Sequence, residues 1–293
     1  MENPPDVADE RDVIVTSNLP GASGICEVQM FIVVSACANH FFFHRTMTIE
    51  TILTPAELPA LPHRDLSNTA CVVFDILRAT SAFITALHNG AEAIVPVCEI
   101  SEAVARRQQQ PEVLLAGERD GVKIRAAQSG GVDFDFGNSP REFRPEKVRG
   151  KTIISTTTNG TRALRACAGA NIVLASSFLN LAATARFLNQ SPTEEILLIC
   201  AGTGEGAALE DILAAGALAG LVDGDYTDAT ETASRTYHTA KADLPAALAS
   251  SQNARRLLEI SELRADVAYC AQRDIFKNVA CLTAEGALRL ERK

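Results

Sequence analysis

Three segments of the chain combine hydroxyl side chains or glycines with a helical pattern at the end of an apolar run. They are VVFDILRATSAFITAL (72–87), IISTTTNGTRAL (153–164) and LLICAGTGEGAALEDILAAG (197–216). In each, backbone N–H groups and hydroxyls would lie at a helix N-terminus, where the helix dipole favours an anion. The ligand crevice of an open α/β sheet lies at the carboxyl ends of its strands, so we expect these segments to converge on one anion-binding site.

The candidate phosphate-binding residues belong to the first two segments and to the turn NSP at 138–140. They are Thr80, Ser81, Asn138, Ser139, Thr157, Thr158, Asn159, Gly160 and Thr161. Gly160 would let backbone amides approach a ligand closely, and Thr158 or Asn159 can cap the following helix. Capping and β-branched strand residues account for about one or two of the threonines, and an anion site would explain the others.

Acidic residues form a second group around the same segments. The candidate magnesium ligands among them are Asp75, Glu118, Glu210 and Asp211. Glu210 and Asp211 lie in an otherwise apolar stretch without a basic residue nearby. Buried carboxylates need a partner, and a hard cation such as Mg²⁺ is a natural one. The alternative for these two is that acidic residues in a first helical turn complement the helix dipole.

Four arginines lie beside a glycine, a hydroxyl or a turn signal: Arg78, Arg119, Arg141 and Arg162. Guanidinium groups suit phosphate, sulfonate and carboxylate, although a lone arginine is most often a surface residue. The candidate catalytic residues are Asp75, Arg78, Glu118 and Arg119. For Asp75, the roles of metal ligand, general acid and nucleophile all stay open.

Composition argues against two classes of partner. The formal net charge is -9 and no run of Lys and Arg is present, which argues against a nucleic-acid surface. The apolar stretch at 30–43 is interrupted by Asn39 and His40 and is too short to span a bilayer.

The eight cysteines include no CxxC pair, a pattern typical of reduced thiols in the cytoplasm. We expect a small anionic substrate and, from base rates, a homodimer.

Short apolar runs alternate with helical patterns, which predicts an α/β fold with mostly parallel sheets covered by helices. Strands are predicted at 70–76, 93–97, 113–117, 151–156, 171–175, 196–201 and 278–282, and helices at 79–89, 101–109, 160–168, 178–189 and 207–221. Between them, Glu118–Arg149 is a long polar segment of the kind that is usually functional or mobile. We expect an N-terminal extension outside the core (1–46), a first α/β domain (47–145) and a second one (146–293), helical toward its end.

Taken together and in this order, five segments resemble the 2-phosphosulfolactate phosphatase family of coenzyme M biosynthesis. They are FDILRATSAFITALHNGA, LLAGERDG, FDFGNSPREF, STTTNGTRAL and ICAGTGEGAALEDILAAG. The resemblance implies a two-domain α/β fold, a Mg²⁺-dependent phosphatase that yields sulfolactate, and a site around the candidate residues named above. Within ERDG, Asp120 stands where the family more often shows glycine.

Three other functions stay open. The same fold would serve a phosphatase for a different small phosphorylated acid. A non-catalytic anion-binding protein is a second alternative, although carboxylates beside an anion are unfavourable unless a cation is present. The glycine spacing of GTGEG and its acidic Glu205 argue against a third, a dinucleotide-binding oxidoreductase.

Overall fold

The computed structural model describes residues 47–291, and the predicted extension at 1–46 lies outside the described residues. The strands are β1 (Thr48–Ile52), β2 (Thr69–Phe74), β3 (Ala93–Pro96), β4 (Leu114–Arg119), β5 (Val122–Lys123), β6 (Thr152–Thr156), β7 (Ile172–Ser176), β8 (Glu195–Cys200), β9 (Asp225–Tyr226), β10 (Ala280–Leu282) and β11 (Leu288–Leu290). The α-helices are α1 (Ala79–His88), α2 (Ile100–Gln109), α3 (Ala126–Ser129), α4 (Pro145–Val148), α5 (Gly160–Ala166), α6 (Leu181–Gln190), α7 (Leu209–Ala219), α8 (Asp228–Ala240), α9 (Leu244–Ala249), α10 (Gln252–Glu259) and α11 (Arg264–Cys270). Short 3₁₀ segments lie at Pro55–His63, Pro140–Glu142, Phe178–Asn180 and Lys241–Asp243.

The strands within residues 47–291 form one mostly parallel sheet in the order β5-β4-β6-β3-β11-β10-β7-β2-β8-β1-β9. One block of parallel strands contains β4, β6 and β3, and a second contains β7, β2, β8, β1 and β9. The antiparallel hairpin of β10 and β11 joins the two blocks. The predicted α/β class with a mostly parallel sheet is therefore confirmed.

The burial of strand β2 on both faces explains why its sequence is a continuous apolar run. Cys71 and Val73 belong to one hydrophobic core, and Ala70, Val72 and Phe74 belong to another. Helices α1 and α5 contribute to the first core, and α6 and α7 contribute to the second. Both faces of the strand are thus covered by helices, which is the usual environment of an inner strand in a parallel sheet.

All seven predicted strands are present, each within two residues of its predicted ends. The predicted domain boundary near residue 145 does not coincide with a break in the sheet, because β6 pairs with both β3 and β4. The division into two domains stays a prediction. No helix within residues 47–291 is long and apolar enough to cross a bilayer.

The long segment that begins at Glu118 contains a hairpin that the sequence prediction missed. Strands β4 and β5 pair antiparallel, with Arg119 opposite Val122. The two residues between them, Asp120 and Gly121, have φ values of 54° and 79°. An Asp-Gly turn with two left-handed residues matches the twist of the strands that it connects. The dipeptide was therefore the signal for this hairpin, and Asp120 occupies a conformation that glycine adopts most easily.

Candidate active site

The three segments predicted to converge do meet at one cavity of about 340 Å³. Asp75 and Arg78 line it after β2, Glu118 lines it at the end of β4, and Thr158 lines it after β6. The glycine-rich loop after β8 contributes residues 202–204, and helix α10 forms a further wall. Carboxylate, amide, hydroxyl and guanidinium groups therefore surround one space large enough for a small organic acid.

Hydroxyl groups of helix α1 hold the loop that carries Asp75. The Thr80 hydroxyl donates to the Asp75 carbonyl over 3.0 Å, and the Asp75 N–H donates to the same hydroxyl over 3.1 Å. The Ser81 hydroxyl donates to the Ile76 carbonyl over 2.9 Å. Thr80 and Ser81 are fully buried and do not line the cavity. Both therefore position the loop, and a direct contact with phosphate stays a prediction for them.

One carboxylate oxygen of Asp75 accepts a hydrogen bond within the protein, and the other is available to a ligand. Its Oδ1 accepts from the N–H of Ala79 over 3.0 Å, while Oδ2 accepts no hydrogen bond from a described residue. Burial, together with the charges of Glu118 and Glu210, raises the pKa of Asp75 to about 7. A Cβ atom at Gly160 would lie 2.6 Å from Oδ2, so only glycine fits against this carboxylate. Asp75 is thus a closely packed acidic group with an oxygen left for a ligand.

Glu118 fastens two loops together. Its Oε1 accepts from the N–H and the hydroxyl of Thr158 over 2.9 and 3.0 Å, and its Oε2 accepts from the N–H of Gly121 over 2.8 Å. Glu118 is buried, with 8% of its surface exposed to solvent. Because both oxygens are occupied, Glu118 sets the positions of the loops after β4 and β6 on either side of the cavity.

Arg78 forms a buried ion pair with a carboxylate that lies far away in sequence. Its Nη1 is 2.8 Å from Oδ2 of Asp266 in α11, and its Nη2 donates to the carbonyl of Gly121 over 2.6 Å. The other Asp266 oxygen accepts from the Ser139 hydroxyl over 2.7 Å, and Arg141 lies 3.6 Å from it. The carboxylate of Asp266 therefore neutralises Arg78, which lines the cavity as an already paired cation.

The other two predicted arginines also have partners. Arg119 donates to the carbonyl of Glu118 over 2.7 Å and to the hydroxyl of Thr156 over 3.0 Å, and it does not line the cavity. Arg162 forms an exposed ion pair with Glu205, with 2.6 Å between Nη1 and Oε1. A catalytic role for Arg119 stays a prediction. The ion pair of Arg162 connects the start of α5 to the loop after β8.

The threonine run after β6 makes hydrogen bonds mainly within itself. The N–H of Thr161 donates to the Thr157 hydroxyl over 3.1 Å, and the Thr161 hydroxyl donates to the Thr157 carbonyl over 3.0 Å. The amide of Asn159 donates to the carbonyls of Ala201 and Gly204 over 2.7 and 2.9 Å. The run therefore fixes its own turn and ties it to the loop after β8, and a contact with an anion stays a prediction for these side chains.

The two acidic residues at the start of α7 differ in their hydrogen bonding. Asp211 accepts from the N–H of Ile76 over 2.8 Å and from the N–H of Gly202 over 2.9 Å. Its burial, together with the charges of Glu210 and Asp75, raises its pKa well above the usual range. Glu210 accepts from Asn253 over 2.7 Å through Oε1, whereas its buried Oε2 has no partner within residues 47–291. Asp211 thus joins the loops after β2 and β8, and Glu210 retains an unsatisfied oxygen.

These hydrogen bonds distinguish the four carboxylates that were predicted to bind magnesium. The described residues contain no cluster of three or more His, Cys, Asp or Glu side chains arranged around a metal position. Both oxygens of Glu118 and of Asp211 accept hydrogen bonds, whereas Asp75 Oδ2 and Glu210 Oε2 accept none from a described residue. A role of Glu118 or Asp211 as a magnesium ligand stays a prediction. Mg²⁺ is commonly held by one or two carboxylates together with substrate phosphate and water. Oδ2 of Asp75 and Oε2 of Glu210 are oxygens of the kind that this donor set requires, and of these two residues only Asp75 lines the cavity.

The sequence analysis missed three residues of this site, all in the helical C-terminal region. Asn253 and Arg256 lie on α10 and line the cavity, and Asp266 lies on α11. Asn253 donates to Glu210 and, over 2.6 Å, to the hydroxyl of Thr203. No motif marks these positions, and the partners of Asn253 and Asp266 lie tens of residues or more away along the chain. Only the isolated acidic residue in RADVAYC gave a signal, since it interrupts an otherwise largely apolar helix.

The fold and the site together define an α/β enzyme whose cavity, at the loops that follow the strands, suits a small anionic substrate. Residues 54–285 match the sequence profile of the 2-phosphosulpholactate (2-phosphosulfolactate) phosphatase family. The chain belongs to this family, and it is accordingly a phosphatase, a phosphoric monoester hydrolase.

Curated relatives agree with this membership. A protein of Thermotoga petrophila is 41% identical over 212 residues, which cover 72% of this chain and 88% of the relative. One of Thermotoga maritima is 40% identical over the same shares of the two chains. One of Caldanaerobacter subterraneus is 40% identical over 73% of this chain and 87% of the relative. All three carry the name probable 2-phosphosulfolactate phosphatase.

Proposed function

We propose that this protein hydrolyses 2-phosphosulfolactate to sulfolactate and inorganic phosphate. The observation that carries the proposal is the carboxylate of Asp75, which keeps one oxygen available inside a cavity formed by the predicted segments. The name shared by relatives that are 40–41% identical supports this substrate. The substrate carries a phosphate, a carboxylate and a sulfonate, so it matches a small polar cavity better than an apolar one.

In this proposal the phosphoryl group lies against Asp75. Gly160 leaves room for the Asp75 carboxylate itself, since a Cβ at residue 160 would lie 2.6 Å from Oδ2. Asn138 lines the cavity and makes no hydrogen bond to another described residue, so its amide can donate to a substrate oxygen. As a nucleophile, Asp75 would attack the phosphorus and displace sulfolactate, and water would then hydrolyse the acyl phosphate. As a general acid, it would give its proton to the leaving oxygen of sulfolactate while water attacks the phosphorus. Its third possible role is to hold a metal.

We also propose Mg²⁺ as the cofactor, with Asp75 and Glu210 as its ligands. A bound Mg²⁺ supplies positive charge to the phosphoryl oxygens during transfer. Two carboxylate oxygens without a hydrogen-bond partner among the described residues, Oδ2 of Asp75 and Oε2 of Glu210, support this proposal, because a buried carboxylate needs a partner such as a cation. Calorimetric titration of the protein with Mg²⁺ should show binding that Glu210→Gln weakens, and equal binding by both proteins would contradict the ligand assignment.

A substrate panel tests the proposed function. We expect phosphate release from racemic phosphosulfolactate, with lower kcat/KM for phospholactate and phosphoglycerate, and we expect EDTA to abolish turnover until Mg²⁺ is restored. A preference for phospholactate or phosphoglycerate would support a phosphatase of different specificity. Release from none of them would contradict the proposed function.

The pathway and the location of the protein belong to the same proposal. Sulfolactate production would place the enzyme in coenzyme M biosynthesis, as the resemblance implies. Cys71, Cys167, Cys200 and Cys270 are buried and unpaired by disulfides, which is consistent with the reducing cytoplasm. Loss of coenzyme M after deletion of the gene, restored by its return, is the expected genetic result.

A further inference from the structure

Arg256 is an arginine of the cavity wall without a charged partner among residues 47–291. It is exposed, it lines the cavity, and it makes no hydrogen bond or ion pair with any residue from 47 to 291. Arg78 lines the same cavity, but the buried carboxylate of Asp266 already neutralises it. An anionic ligand would therefore meet Arg256 as a cation whose donors are all available.

Helix α10 presents one face to the cavity. Asn253, Arg256 and Leu257 line it, and so does Ile260 immediately after the helix. Their spacing of three, four and seven residues from Asn253 places them along one side of a helix. Arg255, the preceding residue, is also exposed but does not line the cavity, and its guanidinium donates to the carbonyl of Ser250. The chain thus places two neighbouring arginines in different environments.

Contacts on both sides fix the position of this helix face. Asn253 donates to Glu210 over 2.7 Å and to Thr203 over 2.6 Å, which ties α10 to the start of α7 and to the loop after β8. Ala254 and Leu257 pack against Val267 of α11 in a small hydrophobic cluster. Arg256 therefore extends from a helix that is anchored to the elements carrying the candidate metal ligand Glu210.

We propose that Arg256 binds the sulfonate group of the substrate and thereby determines specificity; this inference rests on the proposed function. If the phosphate lies against Asp75, the carboxylate is attached to the same carbon as the phosphate oxygen, and the sulfonate is one carbon further away. The sulfonate therefore extends furthest from the reacting phosphorus toward the cavity wall. The guanidinium fork of Arg256 pairs with a sulfonate in the way that it pairs with other oxyanions.

The test compares Arg256→Gln with the matched control Arg255→Gln in the full chain, using phosphosulfolactate and phospholactate. Phospholactate retains the phosphate and the carboxylate but has no sulfonate. We define the specificity ratio as kcat/KM for phosphosulfolactate divided by kcat/KM for phospholactate. Losing a charge-assisted contact in Arg256→Gln should lower this ratio about ten- to a hundredfold, mostly by raising KM for phosphosulfolactate. The ratio for Arg255→Gln should equal that of the wild type, and circular dichroism checks that both variants are folded.

A specificity ratio in Arg256→Gln that stays within about threefold of the wild-type ratio would overturn the inference about Arg256. The proposed function would still hold in that case if the wild type hydrolyses phosphosulfolactate. If the wild type releases no phosphate from phosphosulfolactate, the proposed function fails, and calorimetric binding of sulfolactate decides on Arg256 separately. Binding by the wild type that is lost in Arg256→Gln would support the sulfonate contact. Equal binding, or no binding by the wild type, would overturn it.

Discussion

The corner after β2 and the corner after β6 have similar sequences but different environments. Each has a strand, then hydroxyl residues and an arginine at the start of a helix. Arg78 of the first corner pairs with fully buried Asp266, whereas Arg162 of the second pairs with exposed Glu205. The first corner presents an available carboxylate oxygen of Asp75 to the cavity, while the hydroxyls of the second bond mainly to backbone groups of the same run and to Glu118. Similar sequence patterns thus provide an available carboxylate oxygen at one corner and internally hydrogen-bonded hydroxyls at the other.

The largest expected effect is at the first corner, where Asp75 is the proposed catalytic group. Asp75→Asn should reduce kcat/KM for phosphosulfolactate about a hundred- to ten-thousandfold, as expected for loss of a general acid or a comparable catalytic group. Its folded state should persist, because removing a carboxylate whose pKa is raised by burial removes a desolvation penalty. Steady-state kinetics and thermal unfolding check the two parts, and full turnover by this variant would eliminate all three proposed roles of Asp75.

The buried ion pair behind the same corner should dominate stability. Asp266→Asn leaves Arg78 as an uncompensated buried charge, so we expect unfolding free energy to fall by about 3–5 kcal/mol in urea denaturation. The matched control at the other corner is Glu205→Gln, which alters an exposed pair and should leave stability unchanged. Equal stability losses in the two variants would remove the distinction between the corners.

The contact between the two corners gives a smaller effect. Gly160→Ala introduces a Cβ only 2.6 Å from Asp75 Oδ2 and 2.7 Å from the Cβ of Ala79. Overpacking of this kind should cost about 1–3 kcal/mol and should also lower kcat by displacing Asp75. Gly169→Ala is the control, because nothing described lies within 4 Å of its added methyl group. Wild-type stability and kcat in Gly160→Ala would show that the two corners do not touch as described.

The smallest expected effect concerns the hydroxyls of the second corner. Thr161→Val removes the bond from the Thr161 hydroxyl to the Thr157 carbonyl, which should cost about 1 kcal/mol of stability. If the run only supports the wall, KM for phosphosulfolactate should stay the same. A large rise in KM without loss of stability would instead indicate direct phosphate binding, as the sequence analysis predicted.

Local patterns explain why the fold was predictable while part of the site was not. The run TACVVF predicted an inner strand because residues buried on both faces must all be apolar. Asp75 and Glu118 were found because each lies at the end of such a strand. Asp266 was missed because its partner Arg78 is 188 residues away in sequence. Arg256 was missed because an arginine on an amphipathic helix has the same pattern whether it faces solvent or a cavity.

The most direct test of the central claim is to measure phosphate and sulfolactate together during turnover of phosphosulfolactate by the wild-type protein with Mg²⁺. We predict that both products appear in equal amounts and that neither appears with Asp75→Asn. Absence of both products from the wild type, or full product formation by Asp75→Asn, would contradict the account.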